Sequence, residues 1–273
     1  MFLLPQHQFM KVKPLFDSFH HQIITMSVLE GNTVGDIYVD DLDNPTSALL
    51  NGMNFEVLFA GKPHNKEFNE KINHVISDHI MPKAKKMEIP AINLYYNNEQ
   101  WKKVIEQEVT NKIKSSKVEK RFYTFDITSY NPPPKLLPDK ASLRLIDASL
   151  FNDSSLNNLN QVRQWVQMPW PSVDHFLQKG VGYCVIEEDT VAGWCLSAFS
   201  SGNQLEFALM TEEGYRNKGY AKIAASACIN FCIENGKSPL WNCDDKNIPS
   251  ILVAESIGFK RTLNYNIYQI KID

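Results

Sequence analysis

Short apolar-rich runs at Asp36 to Val39 and at Phe55 to Ala60 have the length of strands, and a polar turn and the Pro45 segment separate them. From Lys66 to His79 the period changes: Phe68, Ile72, Val75, Ile76 and Ile80 recur at helical spacing, and Pro82 is placed to close the element. Ala91 to Tyr95 again reads as a strand, Glu99 to Glu108 as a helix, and Arg121 to Ile127 alternates as a strand. This part of the chain is therefore expected to be mixed α/β.

Between Tyr130 and Lys140 the residues Asn131, Pro132, Pro133, Pro134 and Pro138 fix the backbone toward an extended form and remove its donors. The run reads as a stiff connector, giving an N-terminal domain over 1–130, a Pro-rich linker over 131–140 and a second domain over 141–273. In that second domain Leu143 to Asp147 is strand-like. Helical material follows through Ser155 to Met168 and around Val173 to Gln178. Tyr183 to Glu187 and Val191 to Phe199 form a hairpin around Asp189, and Gln204 to Met210 adds a third strand. Ala221 to Glu234 is an alanine-rich helix ending near Asn235-Gly236, and Leu240 to Asn242 a short strand. A helix from Pro249 to Ser256 is opened by Asn247 and closed by Gly258, and Phe259 to Leu263 and Ile267 to Ile272 are the last strands.

Composition narrows the function. The 28 basic residues are offset by 31 acidic ones, so the charge excess that phosphate-backbone binding leaves in a sequence is absent, and no nucleic-acid partner is expected. The basic run Asn111 to Arg121 lacks interleaved aromatics and reads as a solvated helix end or loop. Cys184, Cys195, Cys228, Cys232 and Cys243 are odd in number and unpaired in spacing, which argues for reduced thiols in a cytoplasmic setting. No metal site is expected, because His64, His74 and His79 lack ligand spacing backed by carboxylates. No membrane association is expected either, since no apolar run approaches the length of a span.

The segment with chemical content follows the strand that ends near Met210. Gly214-Tyr215-Arg216-Asn217-Lys218-Gly219-Tyr220-Ala221 leads into a helix whose first N–H groups lack intrahelical partners, and Gly219 and Ala221 are small enough to let a diphosphate approach the main chain. Neither a P-loop nor a dinucleotide-fold glycine signature is present.

This loop, the preceding Glu206-Phe207-Ala208-Leu209-Met210, the Pro239-Leu240-Trp241-Asn242-Cys243 strand and the Asn247-Ile248-Pro249-Ser250 helix running to Gly258-Phe259 resemble, in order and spacing, the acyl-CoA core of the GNAT (Gcn5-related) acetyltransferase superfamily. The Trp-Asn-Cys stretch and the Asn-x-x-Ser helix look like a Bacillus-type branch that includes the zwittermicin A resistance acetyltransferase. The resemblance implies a GNAT-like α/β (mixed α+β) fold over 141–273, with a smaller mixed α/β, degenerate GNAT-like domain before it.

It also implies acetyl-CoA as co-substrate. The diphosphate would be held by Arg216, Asn217, Lys218, Gly219, Tyr220 and Ala221, and the pantetheine arm by main-chain groups of Ala208, Leu209 and Met210. Asn247 matches an Asn that binds on the cofactor side, and Glu206 stands where related enzymes place a general base. The Tyr that many members use as acid toward the CoA thiolate is replaced by Ala254; Ser250, one turn earlier, is a candidate hydroxyl for the sulfur or a helix-capping or packing residue.

The expected reaction is direct acetyl transfer to a primary amine of a small molecule, such as an amino-containing antibiotic or a polyamine. Trp165, Trp170, Trp194, Tyr183 and Phe199 read either as core residues or as the lining of the acceptor pocket, and Asp244 and Asp245 either as solvent-facing loop residues or as groups that attract the amine. Two alternatives stand beside this reading: a non-catalytic acyl-CoA sensor or scaffold, and an acetyltransferase of protein N-termini or lysines. Monomer and homodimer are equally compatible with the sequence.

Overall fold

The computed structural model describes residues 1–53, 55–133 and 137–272. The chain forms two compact units, Met1–Glu119 with Tyr265–Asp273, and Lys120–Asn264.

The first unit opens with strand β1 (Phe2–Leu3), 3-10 turns over Gln6–Phe19 and helix α1 (Ile23–Leu29). Strands β2 (Gly35–Val39), β3 (Ser47–Gly52) and β4 (Glu56–Gly61) pair antiparallel in sequence order. The β3 strand has no alternating signature, because all six of its residues are buried and both faces are covered. Helical turns α2 (Lys66–Glu70), α3 (Ile72–His74) and α4 (Met81–Lys86), with a π-helical turn over Val75–Ile80, cross over to β5 (Ala91–Tyr96). That strand pairs parallel with β4 from Glu56–Asn93 to Phe59–Tyr96.

Pro82 does not end the helical stretch as its residue type suggests. It falls in the first turn of α4, directly after the wide π turn, where its missing N–H leaves no regular bond unmade. Helix α5 (Glu99–Ile105), a π turn over Glu106–Thr110 and strand β6 (Ser116–Phe125) complete the run. The open side of β5 is paired antiparallel by the end of the chain, from Tyr268–Leu94 to Lys271–Ala91.

In the second unit β7 (Ala141–Leu145) is followed by helices α6 (Ala148–Phe151), α7 (Leu159–Gln167) and α8 (Val173–Lys179), then by the meander β8 (Gly182–Glu187), β9 (Thr190–Ser201) and β10 (Gln204–Thr211). Helix α9 (Tyr220–Glu234) crosses to β11 (Ser238–Asp244), and α10 (Ile248–Ser256) leads to the last strand, β12 (Phe259–Lys271). Here β12 lies beside β6, then come β11, β10, β9, β8 and β7. Two cores sandwich the sheet. Ala224, Ala225, Cys228, Ile229 and Cys232 of α9 pack with Ile251, Ala254 and Ile257 on Leu205, Phe207 and Trp241. On the opposite face Leu150, Val162, Val166, Trp170 and Phe176 pack on Cys184, Trp194 and Leu196.

Two expectations need correction. The boundary does not fall at the prolines. Lys120 to Thr124 pair antiparallel with Asp244 to Leu240, so residues ahead of the prolines already belong to the second unit. Phe125 and Tyr130 pack on its core, and Tyr130 donates its hydroxyl to Ser226 O at 3.2 Å and Asn230 Oδ1 at 2.7 Å. Within the expected linker, 134–136 lie outside the described residues. The two expected terminal strands are a single one, because Asn264, Tyr265 and Asn266 continue the extended backbone without a breaker. Gly258 ahead of it has φ +100°, and a Cβ there would stand 2.9 Å from Tyr130 Cα, so glycine is needed both for conformation and for space.

Candidate active site

The site is built where β10 leaves β11. The parallel pairing covers only Gln204–Ser238, Leu205–Pro239 and Glu206–Leu240, whereas β10 stays paired with β9 as far as Thr211–Gly193. The register with β9 shifts between Glu206 and Phe207, where Ala198 becomes an extra residue on β9. A bulge of this kind bends its strand and increases its twist, and it lies at the point where β10 and β11 part. Beyond it, main-chain groups of Ala208, Leu209 and Met210 border the gap, with all three side chains half-buried.

The loop after β10 prepares an anion cradle. Gly219 is the N-cap of α9 in a left-handed conformation, φ +82°, and no side chain caps the helix. A Cβ on Gly219 would meet nothing within 4 Å, so the main chain is open there. Asn217 is left-handed as well, φ 65°. Tyr220 is only 1% exposed and packs with Val185 and Ala192, so it can offer the cradle its N–H but not its ring. Ala221 is half-buried and Arg216 exposed, the latter's Nε lying 3.5 Å from Thr211 O. Lys218 Nζ sits 2.9 Å from both carboxylate oxygens of Glu187.

The corresponding crossover of the first unit, from β4 to β5, is closed to such a ligand. Its loop has no glycine between Gly61 and α2, and Asn65 Oδ1 accepts the Phe68 N–H at 3.1 Å, filling the helix entrance with its own side chain. Pairing of the two parallel strands there continues to Phe59–Tyr96.

Glu206 shares a strand face with Ala208 and Met210, which pack on the α7 and α8 side, while Leu205 and Phe207 enter the α9 core. Its Oε2 accepts the Asn242 Nδ2–H at 2.8 Å. Ser250 Oγ accepts the indole N–H of the fully buried Trp241 at 3.0 Å. Asn247 is the N-cap of α10, its Oδ1 accepting the Ser250 N–H at 3.2 Å, and this cap accounts for the residue without any ligand. Ala254 is fully buried in the α9–α10 core.

Other expected site residues are placed elsewhere by the fold. Asp244 pairs with Lys120 at 2.8 Å and Asp245 with Arg121 at 2.5 Å, so neither is an uncompensated charge for an amine. Trp170 and Trp194 are each 1% exposed, and Trp170 Nε1 bonds Ser197 O at 2.9 Å; both are core residues. Burial pushes the Cys184 and Cys232 thiols up to about 12 and also raises Cys243, which keeps these groups protonated and unreactive near neutral pH. Glu187 carries no role in the sequence reading, and Asn242 enters it as part of a strand and not through its side chain. Nothing in their local sequence signals the loop and the carboxylate that they hold.

No group of three or more His, Cys, Asp or Glu residues that could hold a metal occurs among the described residues, and no helix there is long and apolar enough to cross a membrane.

Comparison with known proteins bears on the family and the fold. An uncharacterised N-acetyltransferase of Bacillus subtilis (strain 168), YdfB, is 27% identical over 265 residues, 97% of each chain. A GCN5-related N-acetyltransferase-like protein from Streptococcus suis superposes with a TM-score of 0.70 at 25% identity, covering 96% of this chain and 98% of its own. A tandem GNAT protein from the clavulanic acid biosynthesis pathway shares the fold, with a TM-score of 0.60 at 11% identity over 99% of this chain and 98% of its own. The GNAT acetyltransferase family model matches residues 13–268, much further toward the N-terminus than the 141–273 core that carries the motifs, and the chain belongs to that family.

Proposed function

We propose that the protein is an acetyl-CoA-dependent N-acetyltransferase that acetylates a primary amine of a small molecule by direct transfer. The observation that carries this reading is the uncapped, glycine-opened entrance of α9 at the end of a strand that parts from its parallel neighbour. Main-chain N–H groups at a helix start suit a diphosphate without demanding side-chain charge. The residues present fit CoA: the main-chain N–H groups over Arg216 to Ala221 would take the diphosphate, and Ala208 to Met210 the amide-bearing arm.

Bound acetyl-CoA supplies a thioester whose acyl carbon is open to attack by an amine. Glu206 receives the proton that the amine must lose, Asn242 orients that carboxylate, and the main chain bordering the gap offers N–H groups to a developing oxyanion. Ser250, whose oxygen accepts from Trp241, has one hydroxyl hydrogen to give, and the departing sulfur would compete for it with the neighbouring Cys243 thiol. The raised thiols of Cys184, Cys232 and Cys243 support direct transfer over an acetyl-cysteine intermediate.

The test is thiol release from acetyl-CoA against a panel containing polyamines, aminoglycosides, amino sugars and short peptides. Release with small amines supports the proposal, and release with peptides alone moves the acceptor to protein. Acetyl-CoA binding without release across the panel identifies a sensor, a reading that the fully buried Ala254 in place of the family's acid favours.

A further inference from the structure

Glu187 ends β8, 31 residues ahead of Lys218 and 33 ahead of Tyr220. Its carboxylate receives Lys218 Nζ at 2.9 Å on both oxygens and the Tyr220 hydroxyl at 2.6 Å on Oε2. Lys218 Nζ also lies 5.0 Å from the Tyr215 ring centre and 5.9 Å from that of Tyr220, so both aromatic faces are within cation–π reach of the ammonium. The two anchored residues flank Gly219, and left-handed backbone alternates with them at Asn217 and Gly219. One carboxylate thus grips the loop at alternate positions, and Gly219 between them has nothing within 4 Å of where a Cβ would stand. Successive N–H groups in such turns form anion-binding concavities.

We infer that Glu187 is a positioning residue for the acyl-CoA diphosphate: it holds Lys218 and Tyr220 so that the main chain around Gly219 is preformed, and Lys218 serves the loop and not the phosphate. This rests on the acetyl-CoA reading of the site. Bidentate pairing compensates the Lys218 charge, and transferring it to a phosphate would leave Glu187, whose side chain is only 21% exposed, without its cation. An ordered loop has already met the entropy cost that a mobile one meets on binding. Tyr220, packed on Val185 and Ala192, ties the clamp to the sheet.

The test is a double-mutant cycle on the full chain, read by calorimetric titration with CoA, with melting temperature as a check on folding. Glu187→Ala is expected to weaken CoA binding about tenfold, Glu187→Gln less because it keeps an acceptor, and Tyr220→Phe by a smaller factor with the ring still packed. Lys218→Met weakens binding in the wild-type background and adds nothing once Glu187 is alanine, and the salt dependence of CoA affinity stays the same. Equal affinities for wild type and Glu187→Ala overturn the inference. So does a Lys218→Met effect of the same size in both backgrounds accompanied by a shallower salt dependence, which marks Lys218 as a phosphate ligand. If folded wild type does not bind CoA, the acetyl-CoA reading itself fails and takes the inference with it; if it binds and the cycle is additive, only the role of Glu187 falls.

Discussion

Asn242 reaches from β11 to Glu206 on β10, its amide donating to the carboxylate at 2.8 Å two residues beyond the last parallel backbone pair, Glu206–Leu240. The side-chain bond continues the strand contact after the main chains have separated, and it fixes one oxygen of the carboxylate. Glu206→Gln is expected to lower kcat by about a hundredfold or more with little change in the KM for acetyl-CoA. Asn242→Leu should lower kcat about tenfold in the same way, and Asn242→Gln should recover part of it. Steady-state thiol release with the fastest amine of the panel checks these, and a rise in acetyl-CoA KM without loss of kcat would assign both residues to binding.

Gly219→Ala places a side chain on left-handed backbone and puts its Cβ in the open space of the cradle. The strain costs about 1 kcal/mol, and the bulk opposes the diphosphate. CoA affinity is expected to fall at least about tenfold, and further for Gly219→Asp, which adds like charge. Gly202, also left-handed with nothing within 4 Å, is the matched control: Gly202→Ala should lose similar stability and leave CoA affinity unchanged. Equal affinity losses in the two glycine variants would remove the cradle assignment.

Ser250→Ala leaves the buried Trp241 N–H without its acceptor, and stability is expected to drop by about 1–3 kcal/mol in denaturant unfolding. Ser250→Thr keeps the hydroxyl and should restore most of that. The chemical role is separated by kcat: Ser250→Ala lowers it only if the hydroxyl serves the leaving sulfur, and a stability loss with unchanged kcat would make Ser250 a support for Trp241.

Burial, with a lesser contribution from His20, holds the His21 imidazole down at about 4, from an ordinary 6.5. The folded state therefore keeps this ring neutral where the unfolded chain already binds a proton. Stability from this group is fully present above about pH 6.5, declines as pH falls toward 4 and levels off below. Allowing for partial exposure of the ring, the loss is about 1–2 kcal/mol. His21→Phe preserves the contact with Tyr265, 4.8 Å between ring centres, and should flatten the melting temperature over that interval.

The elements nearest the chemistry were the most legible in the sequence. The glycine-bearing loop, the alanine-rich helix and the Asn247 cap are local signals, and the structure puts α9 and α10 within a residue or two of their expected bounds. Signals failed where long-range packing decides. Ser47–Gly52 is buried on both faces and lacks alternation, and Pro82 is absorbed by a π turn. The expected linker was misplaced because strand pairing at Lys120 to Thr124 outranks the stiffness of the prolines that follow. The side-chain contacts of Glu187 and Asn242 are not legible locally because their partners lie 31 and 36 residues away in the chain. The pairing of Asp244 and Asp245 with Lys120 and Arg121 also spans more than a hundred residues and could not be read locally.

The division inside β6 and β12 means that the first unit is made of two separate stretches of polypeptide, while the second, Lys120–Asn264, is continuous and begins well ahead of the prolines. A gene fragment encoding 141–273 would retain every motif of the acyl-CoA core and still lack Lys120 to Thr124, the residues that cover the free flank of β11. Expressed alone, such a fragment would expose that flank as a naked sheet edge and be prone to clump, whereas co-expression with the preceding half would let the missing segment be supplied from a separate molecule.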